Sequence, residues 1–86
     1  MISREVNYSN QAAKTLKRID AATRRIILAK VEQLAVNPAA LANNIDMIKG
    51  SNGAKRLRAG DWRVIYTGTL VVLGIIKINS RGSVYD

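Results

Sequence analysis

Eighty-six residues with no cysteine, no histidine and an apolar share of 48% describe one domain that must bury its own aliphatic core. Disulfides, thiolate metal sites and histidine chemistry are excluded. Fourteen Lys and Arg against six Asp and Glu leave a net charge of +8, which draws the chain toward a polyanion: nucleic acid, an anionic membrane surface or an acidic protein. The opening residues, MISREVNYSN, contain no apolar targeting segment, and no apolar run approaches the ~20 residues needed to span a bilayer. A cytoplasmic chain with no membrane partner is expected.

Residues 2–8 alternate as a short first strand, with Arg4 near an edge and Ser9 placed to cap a helix. Residues 10–19 read as that helix, and its apolar stripe is Ala12, Leu16 and Ile19. Asp20 caps a second helix over 21–36, with Ile27, Val31 and Leu34 inward, widened by Ile26 and Ala35, and Asn37-Pro38 ends it. Lys14, Lys17, Arg18, Arg24 and Arg25 read as the solvated faces of the two helices. With almost nothing between them, the two helices predict an antiparallel α-hairpin. Residues 39–53 show little periodicity; Ile45, Met47 and Ile48 touch the core or form a short strand, and Gly50-Ser51-Asn52-Gly53 signals a turn. Strands are predicted over 54–58, 62–67 and 70–78, joined by turns at 59–61 and Gly68. Asn79-Ser80 is expected to break the last of them, ahead of a final short strand over 82–85. The plan is α+β: an N-terminal strand, an α-helical hairpin, then an antiparallel sheet packed on the helices, forming a single domain over 1–86.

Side chains alternate across a strand, so Leu57, Val64 and Tyr66 pointing at the helices send Arg56, Arg58, Arg63 and Ile65 to the other face. Lys77 and Arg81 reach the same face from the end of the next strand. Between Lys49 and Arg81 there are seven basic residues and one acid, Asp61. Guanidinium forks gathered in this way suit a phosphate backbone. Self-cleavage of RNA by its 2′-OH requires a base, charge stabilisation on the phosphorane and an acid for the leaving 5′-oxygen. Without histidine, only Tyr, Lys, Arg and a few carboxylates remain for these tasks. Asp46 and Asp61 stand isolated, with no ligand-type spacing, so neither a metal nor another cofactor is expected.

The run R-L-R-A-G-D-W-R-V-I-Y at 56–66, the tail N-S-R-G-S-V-Y at 79–85, and A-x-K-x-L-K-R-I-D at 12–20 before a long helix ending in N-P resemble RelE-type toxins of the RelE/ParE toxin–antitoxin superfamily, over essentially the whole chain. The resemblance implies a RelE-like microbial RNase fold and a ribosome-dependent mRNA endoribonuclease acting in the ribosomal A site. Its partner would be an acidic RelB-like antitoxin, with which it would form a hetero-oligomer. It implies that Arg63 and Arg81 stabilise charge on the scissile phosphate, and that Tyr85 acts on or orients the 2′-OH and stacks on a base. Lys49, Lys55, Arg56, Arg58 and Lys77 would hold RNA. Asn79-Ser80 stands where many relatives carry Gly-His, so any role of that histidine is lost. Two other readings share the scaffold. One is a ParE-like inhibitor of DNA gyrase, a branch that usually lacks the arginine–tyrosine set; the other is a catalytically inactive RNA-binding or interaction module.

Overall fold

The computed structural model describes residues 4–50, 53–69 and 72–80. Arg81, Tyr85 and the strand expected over 82–85 lie outside the described residues. Strand β1 (Glu5–Tyr8) turns Val6 and Tyr8 toward the core. Ser9 caps helix α1 (Asn10–Arg18), its hydroxyl accepting the Ala12 amide at 3.1 Å. The helix buries Ala12 and Thr15, with Leu16 and Ile19 packed at the core margin. Asp20 caps helix α2 (Ala21–Val36) by accepting the Thr23 amide at 3.0 Å and the Thr23 hydroxyl at 2.6 Å. Those bonds hold the Asp20 carboxyl below its ordinary value. Helix α2 buries Ile27, Val31, Leu34 and Ala35, but Ile26 is 54% exposed and does not widen the stripe as its position suggests.

Where the sequence shows no periodicity, Pro38–Asn44 form a 3₁₀-helix that buries Leu41. Proline suits a helix start, because the missing amide is one that needs no partner there. Beyond it lie β2 (Ile45–Met47), β3 (Lys55–Ala59), β4 (Trp62–Gly68) and β5 (Val72–Ser80). Gly60 turns β3 into β4 at φ +62°, in the left-handed region that favours glycine.

The five strands lie in the order β1-β5-β4-β3-β2. All neighbours are antiparallel except β1, which runs parallel to β5 with Val6 opposite Leu73 and Tyr8 opposite Ile75. This modifies the expected antiparallel sheet. The chain leaves β1 through α1 and α2 before it returns, and such a crossover is what a parallel pair requires. Helix α1 packs over β5 and β1, and α2 over β3, so the core lies between one sheet face and the helices. Its largest fully buried side chains are Ile27, Val31, Leu34, Leu57, Val64, Leu73, Ile75 and Ile78. Each contributes about 1.5–3 kcal/mol by leaving water.

Strand β5 carries the fold's main irregularity. Ile65 pairs with Lys77 but Tyr66 pairs with Ile75, so Ile76 has no partner on β4. This β-bulge reverses the alternation: Ile75 and Ile78 are both buried, while Ile76 and Lys77 are exposed. The start of α1 clasps it. The Ser9 amide donates to the Ile75 carbonyl at 2.8 Å, and the Ser9 hydroxyl donates to the Ile76 carbonyl. The Gln11 side chain accepts the Ile78 amide at 3.2 Å and donates to the Asn79 side chain at 3.2 Å. Asn79 and Ser80, expected to break the strand, therefore continue it, paired with Arg63 and Trp62.

Replacing Gln11 with Ala leaves the Ile78 amide without its partner and is expected to cost about 1–3 kcal/mol in urea denaturation. Thr15 is buried, and its hydroxyl has no hydrogen-bond partner among the described residues. Thr15→Val removes that hydroxyl at nearly constant shape and is expected to raise stability by about 1 kcal/mol in the same measurement.

Candidate nucleic-acid interface

The face of the sheet turned away from the helices is built from alternate residues of four strands. Asp46, Arg56, Ile65 and Lys77 form one cross-strand row; Arg58, Arg63 and Asn79 form the next on the same face. Residues facing each other in such rows have Cβ atoms about 4.5–5.5 Å apart. Arg58 and Arg63 thus stand directly opposite each other as like charges. The bulge brings Lys77 to this face: strict alternation from the buried Ile75 points it at the core.

Each arginine of the face is positioned by acceptors beside it. Arg58 donates through Nη2 to the Asn43 carbonyl at 2.6 Å, at the end of the 3₁₀-helix. Arg63 folds over the β3–β4 turn, donating through Nη1 to the Gly60 and Trp62 carbonyls at 3.1 Å. Asp46 Oδ2 lies 3.7 Å from Arg56 Nη2 and 3.9 Å from Arg58 Nε. Planar forks with further N–H groups remaining can take phosphate oxygens two at a time.

The structure divides the residues expected to bind RNA or to act on it. Arg56, Arg58, Arg63 and Lys77 share the open face. Lys55 alternates with Leu57 and Ala59 and so lies on the helix side of β3, opposite Met47 and Tyr66. Lys49 is in the β2–β3 turn, at the opposite end of β3 from Arg58. Arg81 follows Ser80, the last described residue; like Tyr85, it lies outside the described residues. Trp62 packs against the core and Tyr66 is buried within it, so neither ring is a stacking platform on this face. Burial pushes the Tyr66 hydroxyl above its ordinary value, against a smaller opposing effect of Arg4. Burial and then Glu32 do the same for Tyr8.

Two other arginines serve the fold. Arg24 donates to the Leu16 carbonyl at 2.7 Å and the Ile19 carbonyl at 3.0 Å, closing the C-terminus of α1. Arg4 donates to the Leu34 carbonyl at 2.6 Å near the end of α2 and to the Thr69 carbonyl at 3.4 Å. Cations suit these positions because the last carbonyls of a helix lack partners and carry the negative end of its dipole. Gly68 leaves room there: a Cβ would come within 2.8 Å of the Arg4 guanidinium, which would have to shift aside. Helical periodicity alone puts Arg24 on a solvated face, whereas it is half-buried against α1. Lys14, Lys17 and Arg18 do face solvent, around a groove of about 430 Å³ with Gln11.

A family model for the ParE toxin of type II toxin–antitoxin systems, parDE, matches residues 6–85. The chain belongs to that family. The toxin's fold is that of RelE-like members of the RelE/ParE superfamily. It is similar to a chain of the archaeal RelE–RelB complex from Pyrococcus horikoshii OT3, at 26% identity and a TM-score of 0.78, over 95% of this chain and 99% of that one. A chain of the intact E. coli RelBE toxin–antitoxin complex matches at 17% identity and a TM-score of 0.73, over 91% and 96%. The YoeB dimer from Staphylococcus aureus matches at 19% identity and a TM-score of 0.75, over 91% and 97%. No curated protein sequence matches the toxin.

Several residues that shape this face leave no mark in the sequence. Asp46 looks isolated there because its partners come ten and twelve positions later, through strand pairing. Gln11 carries no motif, and the motif around Asn79 does not show their contact; the bulge they hold is signalled only by the run Leu73 to Ile78, in which Lys77 falls one position out of alternation.

The two roles of arginine separate in a stability measurement. Arg4→Ala and Arg24→Ala are each expected to lose about 1.5–3 kcal/mol, the range for hydrogen bonds from charged groups. Arg56→Ala, half-buried and paired with Asp46, and Lys77→Ala, exposed, are each expected to lose less than about 1 kcal/mol.

Proposed function

We propose that this toxin is a metal-independent mRNA endoribonuclease that acts in the ribosomal A site in the cytoplasm, and that an acidic RelB-like antitoxin holds it inactive in a hetero-oligomeric complex. The observation that carries this reading is Arg58 opposite Arg63, flanked by Arg56 and Lys77 on one sheet face. Like charges directly opposite destabilise a sheet. A polyanion laid across them turns that repulsion into attraction. The motif resemblance at 56–66 and 79–85 and the RelE-like fold support RNA as the polyanion.

In the proposed reaction the 2′-oxygen attacks the adjacent phosphorus as its proton leaves to a base. A phosphorane with added negative charge forms, and the 5′-oxygen departs with a proton, leaving a 2′,3′-cyclic phosphate and a 5′-hydroxyl. Arg63 and Arg81 are proposed to stabilise the phosphorane charge, and Tyr85 to orient the 2′-OH and stack on a base. Arg56, Arg58 and Lys77 hold the flanking phosphates, and the ribosome supplies much of the substrate positioning. Electrostatic groups of this kind are worth about 10²–10³ in rate each.

The family model favours a second reading, a ParE-like inhibitor of DNA gyrase without nuclease chemistry. One experiment separates the two. Programmed ribosomes carrying mRNA are incubated with wild-type toxin, Arg63→Ala and Arg81→Ala, and the mRNA ends are mapped. Codon-specific cuts that fall about 100-fold or more in both variants are expected. Intact mRNA with wild type, together with inhibition of gyrase supercoiling, overturns the nuclease reading in favour of the second.

A further inference from the structure

We infer that Asp46 is a resident competitor for the phosphate-binding arginines: its carboxylate occupies Arg56 and Arg58 in the unliganded toxin, and a nucleic-acid phosphate displaces it. The inference rests on reading the open sheet face as a nucleic-acid surface, and it assigns that face a residue that tunes its affinity.

Strand pairing sets Asp46 directly across from Arg56, and Arg58 lies diagonally from it on the same face. One oxygen, Oδ2, serves both guanidiniums, at 3.7 and 3.9 Å. Both distances exceed hydrogen-bond length, so the carboxylate neutralises the pair without engaging the forks. The Asp46 side chain is 45% exposed and the Arg58 side chain 44%. These are contacts that water and a better ligand exchange readily. A phosphate is a better ligand, since its oxygens can meet a fork bidentately. Arg58 does not need Asp46 to keep its place, because the Asn43 carbonyl holds it at 2.6 Å. On this face the other described strand carboxylate, Glu5, stands on β1, three strands from β3. That is about 14 Å at the usual strand spacing, too far to take part.

The consequence is thermodynamic. Cations neutralised by a carboxylate of their own chain hold fewer mobile counterions, so a phosphate replacing Asp46 releases few. Without the carboxylate, mobile anions take over the neutralisation and leave when nucleic acid binds. Removal of Asp46 therefore raises affinity at low salt and steepens its salt dependence.

The test uses the full chain and a short single-stranded RNA with methylated 2′-hydroxyls, which cannot be cleaved by 2′-OH attack. Binding is followed by fluorescence anisotropy across a salt series. Asp61→Asn is the control: Asp61 is exposed in the β3–β4 turn, has no ion pair among the described residues, and its loss changes net charge equally. Asp46→Asn is expected to bind about three- to tenfold tighter at low salt. Its log K against log[salt] slope is expected to be steeper than that of wild type, since mobile anions now leave the arginines on binding. Asp61→Asn is expected to stay near wild type. Asp46→Ser gives the same readout should the amide disturb β2. No gain in Asp46→Asn, or an equal gain in Asp61→Asn, overturns the inference. If even wild type fails to bind, the nucleic-acid reading of the face falls and the inference falls with it. If wild type binds but cuts no mRNA on the ribosome, only the nuclease reading falls.

Discussion

Ser9 and Gln11, at the start of α1, hold the backbone of β5 where it steps out of register with β4. A strand has a side-chain period of two, so one extra residue exchanges its faces from that point onward. Without Ile76 as the extra residue, Ile78 would leave the core and Lys77 would enter it. The bulge lets a single strand bury Leu73, Ile75 and Ile78 and still present Lys77 and Asn79 beside Arg63 and Ile65. Its backbone groups need partners, and side chains from α1 provide them. Core, helix start and open face are thus fixed at one junction.

The positive charge of the chain is divided by function. Arg4 and Arg24 serve helix C-termini, where backbone carbonyls accept from them. The sheet face works against stability instead, since Arg58 meets Arg63 and the neighbouring row adds Arg56 and Lys77. Carbonyls of Asn43, Gly60 and Trp62 and the carboxylate of Asp46 moderate that repulsion without cancelling it. A sheet selected only for stability would place an opposite charge across from Arg58. The aliphatic core beneath, with eight large side chains almost fully removed from water, is what allows the face to stay repulsive.

Much of this is legible in the sequence because it is local. Ser9 and Asp20 read as N-caps, Ile27, Val31 and Leu34 as a buried stripe, and the inward set Leu57, Val64 and Tyr66 fixes the outward set Arg56, Arg58 and Arg63. What escapes depends on contacts between distant segments. The parallel pairing of β1 with β5 leaves no periodic mark. The 3₁₀-helix at 38–44 is too short and too tight to show a stripe. Lys55 groups with Arg56 and Arg58 by proximity in sequence, yet alternation sends it to the other side of β3. Asp46 acquires its role only when β2 is laid against β3. The continuation of β5 through Asn79 and Ser80 depends on Gln11, nearly the whole chain away.

That separation has a bearing on how the molecule comes into being. The bonds that join Arg4 to Thr69, Ser9 to Ile76 and Gln11 to Asn79 link residues 65 to 68 positions apart. Contacts of such range form late, because the intervening chain must give up its freedom before they return anything. During synthesis the helices with their cations emerge early, whereas β5 emerges last of the described elements. Until it does, the bulge has not formed, β1 has no neighbour and Arg63 has no strand on its far side. A nascent or truncated chain therefore carries most of the positive charge of the protein without the surface that arranges it.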